Sequence, residues 1–312
     1  MNRPIQGLAA LAAAAFAALA AVDARAHGFA GDRFFPATIL TDDPFVADEM
    51  SLPTVTFNPP GADGTHETDV EFDIAKRLTH DLGITFSDQW ETIRQPGGLP
   101  TLHGTGGITT GVQYQLFIDA PHEAMALIGF QQNWAHTGRV QALGAPDYTT
   151  LSPVFDWGKG MGDLPESLPW LRPFAITGNF SYDFPLKTTS YGPNGAMLHP
   201  NNFNYGIAIE YSLEYLQHHV KDVGLSAPFD RLIPVIEMAM TTPMNRGQGG
   251  QTTGTIQPGL IWAGQYYQIS AEAIIPVNSA SSHDVGAIVQ LQIFIDDIWP
   301  KWFGHPLIGS DE

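Results

Sequence analysis

NYGIAIEYSLEYL, residues 204–216, alternates between two unlike faces. Tyr205, Ile207, Ile209, Tyr211, Leu213 and Tyr215 share one side; Asn204, Ala208, Glu210, Ser212 and Glu214 share the other. A period of two is the mark of a β-strand with distinct faces. In a soluble sandwich the apolar face packs into a core and the acidic face meets water. In an outer-membrane barrel the apolar face meets lipid and the acidic face lines a lumen.

The same alternation recurs along the chain. Val70, Phe72 and Ile74 oppose Asp69, Glu71 and Asp73, and Ile84, Phe86 and Trp90 oppose Thr85, Ser87, Gln89 and Glu91. Val112 and Tyr114 oppose Gln113 and Gln115, and Phe180 and Tyr182 oppose Asn179, Ser181 and Asp183. Further on, Glu237 opposes Met238, Gln268 and Glu272 oppose Ile269, and Gln290 and Gln292 oppose Val289 and Leu291. With weaker strands near 52–58, 123–133, 148–156 and 253–263, the pattern predicts an all-β, closed antiparallel transmembrane barrel of about 12 strands. Tight turns near Thr79–Asp81, Ala120–His122 and Gly264 fall on the predicted periplasmic side. Longer Gly-, Pro- and Asn-rich stretches at 93–105, 134–147 and 185–202 fall outside, as in outer-membrane barrels. The stretch 158–169 breaks this pattern, being long on the periplasmic side. Trp90, Trp134, Trp157, Trp170 and Trp262 lie near predicted strand ends, where aromatic girdles belong.

The N-terminus reads as a secretory signal. Arg3 precedes an apolar stretch from Leu8 to Val22, and Ala24-Arg25-Ala26 is a small-x-small cleavage site. The predicted divisions are a signal at 1–26, an irregular segment and candidate plug at 27–51, a barrel at 52–297 and a tail at 298–312. There is no cysteine, and the formal charge is −18. Loss of Arg3, Asp23 and Arg25 with the signal makes the mature chain one unit more acidic. That balance argues against nucleic acid and acidic lipid surfaces as partners. The expected partners are membrane lipid and a small solute, with cations favoured.

By parity Glu71, Asp73, Glu91, Asp183, Glu210, Glu214, Glu237 and Glu272 face inward. Carboxylates along a pore favour cations, although interior polar networks also fill narrow barrels. Within the irregular segment Arg33, Phe34 and Phe35 are plug candidates, with Arg33 expected to pair with Glu210, Glu237 or Glu272. Cleavage would leave His27 first, and its α-amine and imidazole could chelate copper, with His66, His103, His136 or the His218-His219 pair as further ligands. A copper-binding barrel is therefore an alternative to a channel, and a soluble β-sandwich a third reading. No G-x-S-x-G, H-E-x-x-H or P-loop motif is present, so an enzyme is not expected.

HGFAGDRFFPATILTDDPFVADEMSLPTV, ETDVEFDIAKRLTHDLGITFSDQWE, TTGTIQPGLIWAGQYYQISAEAIIPVN and LQIFIDDIWP together cover much of the chain outside the signal. They are similar to uncharacterised proteobacterial outer-membrane barrels, which in turn resemble the barrel family assigned to the phenol-degradation meta-cleavage pathway. The resemblance implies a barrel and carries no catalytic residues and no substrate. The chain continues well past Phe294, so either its assembly signal is internal or the tail folds back at the periplasmic rim.

Overall fold

A computed structural model describes residues 28–309 except 42, 62, 140–142, 144, 193–194 and 248. Twelve antiparallel strands form the wall: β3 (Glu49–Phe57), β4 (His66–Arg77), β5 (Leu82–Arg94), β7 (Thr109–Asp119), β8 (Ala124–Asn133), β9 (Thr150–Gly160), β10 (Phe174–Pro185), β13 (Asn202–Tyr211), β14 (Leu232–Pro243), β15 (Thr253–Ala263), β16 (Tyr267–Pro276) and β17 (Gly286–Phe294). Each pairs with the next in this order, and β17 pairs with β3 to close the ring. Closure rules out the sandwich, which would leave two stacked sheets with free edges. Short strands lie outside the wall: β1 (Phe29–Ala30), β2 (Arg33–Phe34), β6 (Leu102–Thr105), β11 (Thr189–Gly192) and β12 (Gly195–Leu198).

Parity holds around the ring. Ile84, Val112, Ile128, Phe180, Ile209, Ile236, Ile269 and Val289 are exposed on the outer face, and Thr177, Glu210, Glu237, Gln268, Ser270 and Gln290 are buried on the inner one. A continuous exposed apolar belt is untenable in water and is what a bilayer requires. Among the described residues no helix is long and apolar enough to cross a membrane, so the crossing is made by strands. Two irregularities keep the parity. One bulge turns both Leu52 and Pro53 outward between inward Ser51 and Thr54. The other, after Gln115, leaves Leu116, Phe117 and Ile118 all exposed.

The opening stretch needs one correction. Its strand ends at Tyr211 rather than running to Leu216. Ser212 accepts a hydrogen bond from the Tyr215 N–H at 3.1 Å and caps a helical turn over Leu213–Tyr215, continued by Leu216–Val220. The turn carries Glu214 out of the lumen into an exposed position.

N- and C-terminal segments meet the same end of the barrel, called here the terminal end. The tail folds back there: the Leu307 and Ile308 N–H groups donate to the Arg77 and Leu78 carbonyls, and Lys76 Nζ donates to the Phe303 and His305 carbonyls. Turns 78–81, 120–123 and 264–266 at this end are short. Connections 161–173 and 212–231 are long, and both wrap the root of the N-terminal segment, which explains the stretch that broke the sequence pattern.

The face assignment has a direct consequence. Val289→Arg places a charge in the lipid belt near mid-strand and should destabilise the barrel by about 2–4 kcal/mol. Gln131→Arg on the inner face should be nearly neutral. Reversible unfolding in lipid vesicles, followed by gel mobility, measures both; equal losses would reverse the faces.

Candidate functional site

The inner face has two zones. Toward the terminal end it is apolar or bare: Met125 and Leu127 on β8, Gly158 and Gly160 on β9, Ala175 on β10, Gly206 and Ala208 on β13, Ile233 and Val235 on β14, Ile261 and Ala263 on β15. Toward the far end the same strands carry Gln131, Asn133, Thr241, Thr255 and Gln257. A water-filled lumen has no use for the first set. It is there to pack residues 28–48, which enter the barrel and fill its terminal half.

This plug begins as a hairpin. Gly31 turns between β1 and β2 with φ +64°, and a Cβ there would lie 2.7 Å from the Ala120 carbonyl oxygen, so glycine serves both the turn and the close approach. Phe35 is wholly buried with Ala30, Phe45, Ala47, Met125 and Ala175. A Cβ on Gly158 would sit 3.0 Å from both Phe35 and Pro44, so the bare wall position makes room for the plug. Phe34 packs against Ala208, Ile233, Val235, Ile261 and Ala263.

Arg33 fixes the root. Its Nε donates to Glu123 Oε2 at 3.1 Å, and its other two nitrogens donate to the Pro173 and Arg172 carbonyls at 3.0 and 2.5 Å. The guanidinium lies 3.6 Å over the Tyr215 ring. Glu123 also accepts from the Tyr215 hydroxyl at 2.6 Å and the Gly162 N–H at 2.8 Å. Burial, together with the bond to Glu123, pushes the Tyr215 hydroxyl up to about 12. The expected pairing of Arg33 with Glu210, Glu237 or Glu272 is thus replaced by Glu123. The hairpin places Arg33 at the rim, where Glu123 rises from the 120–123 turn, while the three expected partners sit on the wall strands.

Glu237 holds the tip. Its Oε1 accepts the Ile39 N–H at 2.8 Å, and its Oε2 accepts the Leu40 and Thr41 N–H groups at 2.9 and 3.1 Å. Three consecutive backbone donors converge on one fully buried carboxylate, which supplies the acceptors that an irregular buried backbone lacks. Gln268 donates to the Ala37 carbonyl at 2.5 Å, and Gln115 accepts from the Val46 N–H at 3.0 Å while donating to the Pro44 carbonyl at 3.0 Å. At the base Asp48 accepts from Lys76 Nζ at 2.8 Å and from the Arg77 backbone N–H at 2.6 Å.

The other inward carboxylates are dispersed. Glu272 lies beside Glu237. Glu210 accepts from Thr177 Oγ1 at 3.2 Å. Asp183 accepts from Ser152 at 2.7 Å and Asn204 at 2.9 Å. Glu91 shares a recess of about 350 Å³ with Glu67, Glu71 and Asp88 beneath residues 143–146. Glu71 and Asp73 line a larger cavity of about 1010 Å³, which runs from a floor of Ala37–Leu40 to the loops at 58–61 and 279–284. No Lys or Arg lines either space. Among the described residues no three His, Asp or Glu side chains are arranged to hold a metal ion. His27 lies outside the described residues. Of its proposed co-ligands, His103 stacks on Trp90, and His218 and His219 belong to the 216–220 turn.

No family model matches the chain, and no curated protein matches it in sequence. Solved structures match in fold. An outer membrane channel from Pseudomonas putida F1 aligns with a TM-score of 0.53 at 10% identity, over 80% of this chain and 95% of that one. The NanC and KdgM porins align with TM-scores of 0.47 and 0.46 at 9% identity, over 79% and 78% of this chain and 98% of each of theirs.

Two substitutions separate the plug's fastenings. Glu123→Ala leaves a buried guanidinium without its carboxylate and should destabilise the barrel by about 3 kcal/mol; the paired Arg33→Met, Glu123→Leu change should lose much less. Glu237→Ala should leave the strand ladder intact and accelerate amide hydrogen exchange at Ile39, Leu40 and Thr41, read by mass spectrometry. Unchanged protection there would mean that Glu237 does not hold the tip.

Proposed function

We propose that the chain is an outer-membrane channel that passes small hydrophilic solutes passively and prefers cations to anions. Its terminal end faces the periplasm and its longer loops face outward. The observation that carries this reading is the lining of the large cavity: Asp43, Glu49, Glu71, Asp73 and Asp284 without a single Lys or Arg. Inside a low-dielectric wall, such a lining concentrates cations and repels anions over the full depth of the space. The fold shared with an outer membrane channel supports the same reading. The plug narrows the terminal half, so passage is expected to be small in the resting state.

Planar bilayers with a potassium chloride gradient test this. The reversal potential should take the sign of cation preference. Removing residues 28–47 should raise single-channel conductance while keeping that sign, because Glu71 and Asp73 stay on the wall. Anion preference, or unchanged conductance after the deletion, would contradict the reading.

A further inference from the structure

We propose that the cavity above the plug is a binding site for linear organic polyamines, whose separated ammonium groups bridge carboxylates that nowhere converge. The inference rests on the channel reading for the route by which the amine arrives, but its binding evidence is independent of conduction.

The carboxylates are distributed in a way that suits an extended cation. Asp43 belongs to the plug, Glu71 and Asp73 to the wall strand β4, and Asp284 to a loop at the far mouth. Glu71 and Asp73 are two residues apart on one face, so their backbones are separated by about 6.8 Å along the strand. That is too far for one small ion to chelate both, and it is comparable to the span of a four-carbon diamine. The lack of any three-carboxylate metal arrangement among the described residues agrees with this spacing. A compact divalent ion prefers six or more oxygens gathered around one point.

The same cavity also needs hydrogen-bond donors. Gln257 is only 3% exposed. Its Nε2 donates to Thr255 Oγ1 at 3.1 Å, and its Oε1 accepts from no protein group. Gln290 repeats the pattern: its Nε2 donates to Thr54 Oγ1 at 3.2 Å, and its Oε1 has no protein donor. Both residues line the cavity. A buried amide oxygen without a donor is unfavourable, and a ligand rich in N–H groups relieves it. Anions offer no donors and meet a repulsive field. A neutral polyol supplies donors but gains nothing from the carboxylates. A polyamine meets both demands.

Isothermal titration of the full-length protein in detergent at low salt tests the site, with spermidine, 1,4-diaminobutane, magnesium ion and a neutral disaccharide as probes. Spermidine should bind at least about tenfold more tightly than magnesium. Glu71→Gln with Asp73→Asn should weaken spermidine binding by about tenfold or more, and Asp119→Asn, at an exposed turn on the terminal end, should not change it. Magnesium binding as tightly as spermidine would reduce the site to a diffuse field and overturn the proposal. So would undiminished binding in the double variant, or binding of the disaccharide alone. Spermidine binding without cation preference in bilayers would keep the site and remove the channel reading; cation preference without spermidine binding would do the reverse.

Discussion

The ladder between β17 and β3 is the constraint on which everything else depends. It joins the last strand to the first and leaves no edge, so every backbone group in the wall is paired within the ring. Closure also turns a sheet with two faces into a body with an inside and an outside. From that point each residue's parity decides whether it meets lipid or lumen. The bulges after Ser51 and Gln115 are tolerated because each restores parity within a residue or two.

A closed ring creates an interior, and the interior of this barrel is filled in two different ways. In the terminal half, glycine, alanine and aliphatic wall positions accept the plug as a hydrophobic core would. In the far half, amides, hydroxyls and carboxylates surround open space. Glu237 stands at the boundary. It is a wall residue that faces the plug as a structural acceptor, binding backbone N–H groups of residues 39–41, while its neighbours farther along the ring face solute. Carboxylates of one parity class therefore do different work. Glu123 and Glu237 fasten the plug, Glu210 and Asp183 join wall networks, and Glu71 and Asp73 face the cavity.

Period-two alternation made the wall legible from sequence, because every strand has one apolar and one polar face. The end of β13 was not legible. Ser212 can continue a strand or cap a helix, and the alternation of Leu213 and Tyr215 fits both until the cap forms. Glu123 was missed for a related reason. It sits in a turn with φ 47°, where parity says nothing about direction. The plug itself left a signal in the wall: inward Gly158, Gly160, Ala175, Gly206 and Ala208 are too small to line a pore and mark where other backbone must fit. Arg33 was legible as the plug's cation, but its partner was not, since that choice depends on how deep the hairpin sits.

The central claim is that residues 28–48 occupy the barrel with their tip held against the wall at Glu237. A Cβ on Gly206 would lie 2.8 Å from Thr41 Cγ2, and the chain has no cysteine of its own. The most direct test is therefore the Thr41→Cys, Gly206→Cys double variant in membranes. The account predicts that a disulfide forms without added catalyst, that single-channel conductance is low while it is intact, and that fluctuations to higher conductance appear on reduction. Two free thiols under oxidising conditions would place the tip elsewhere and contradict the account.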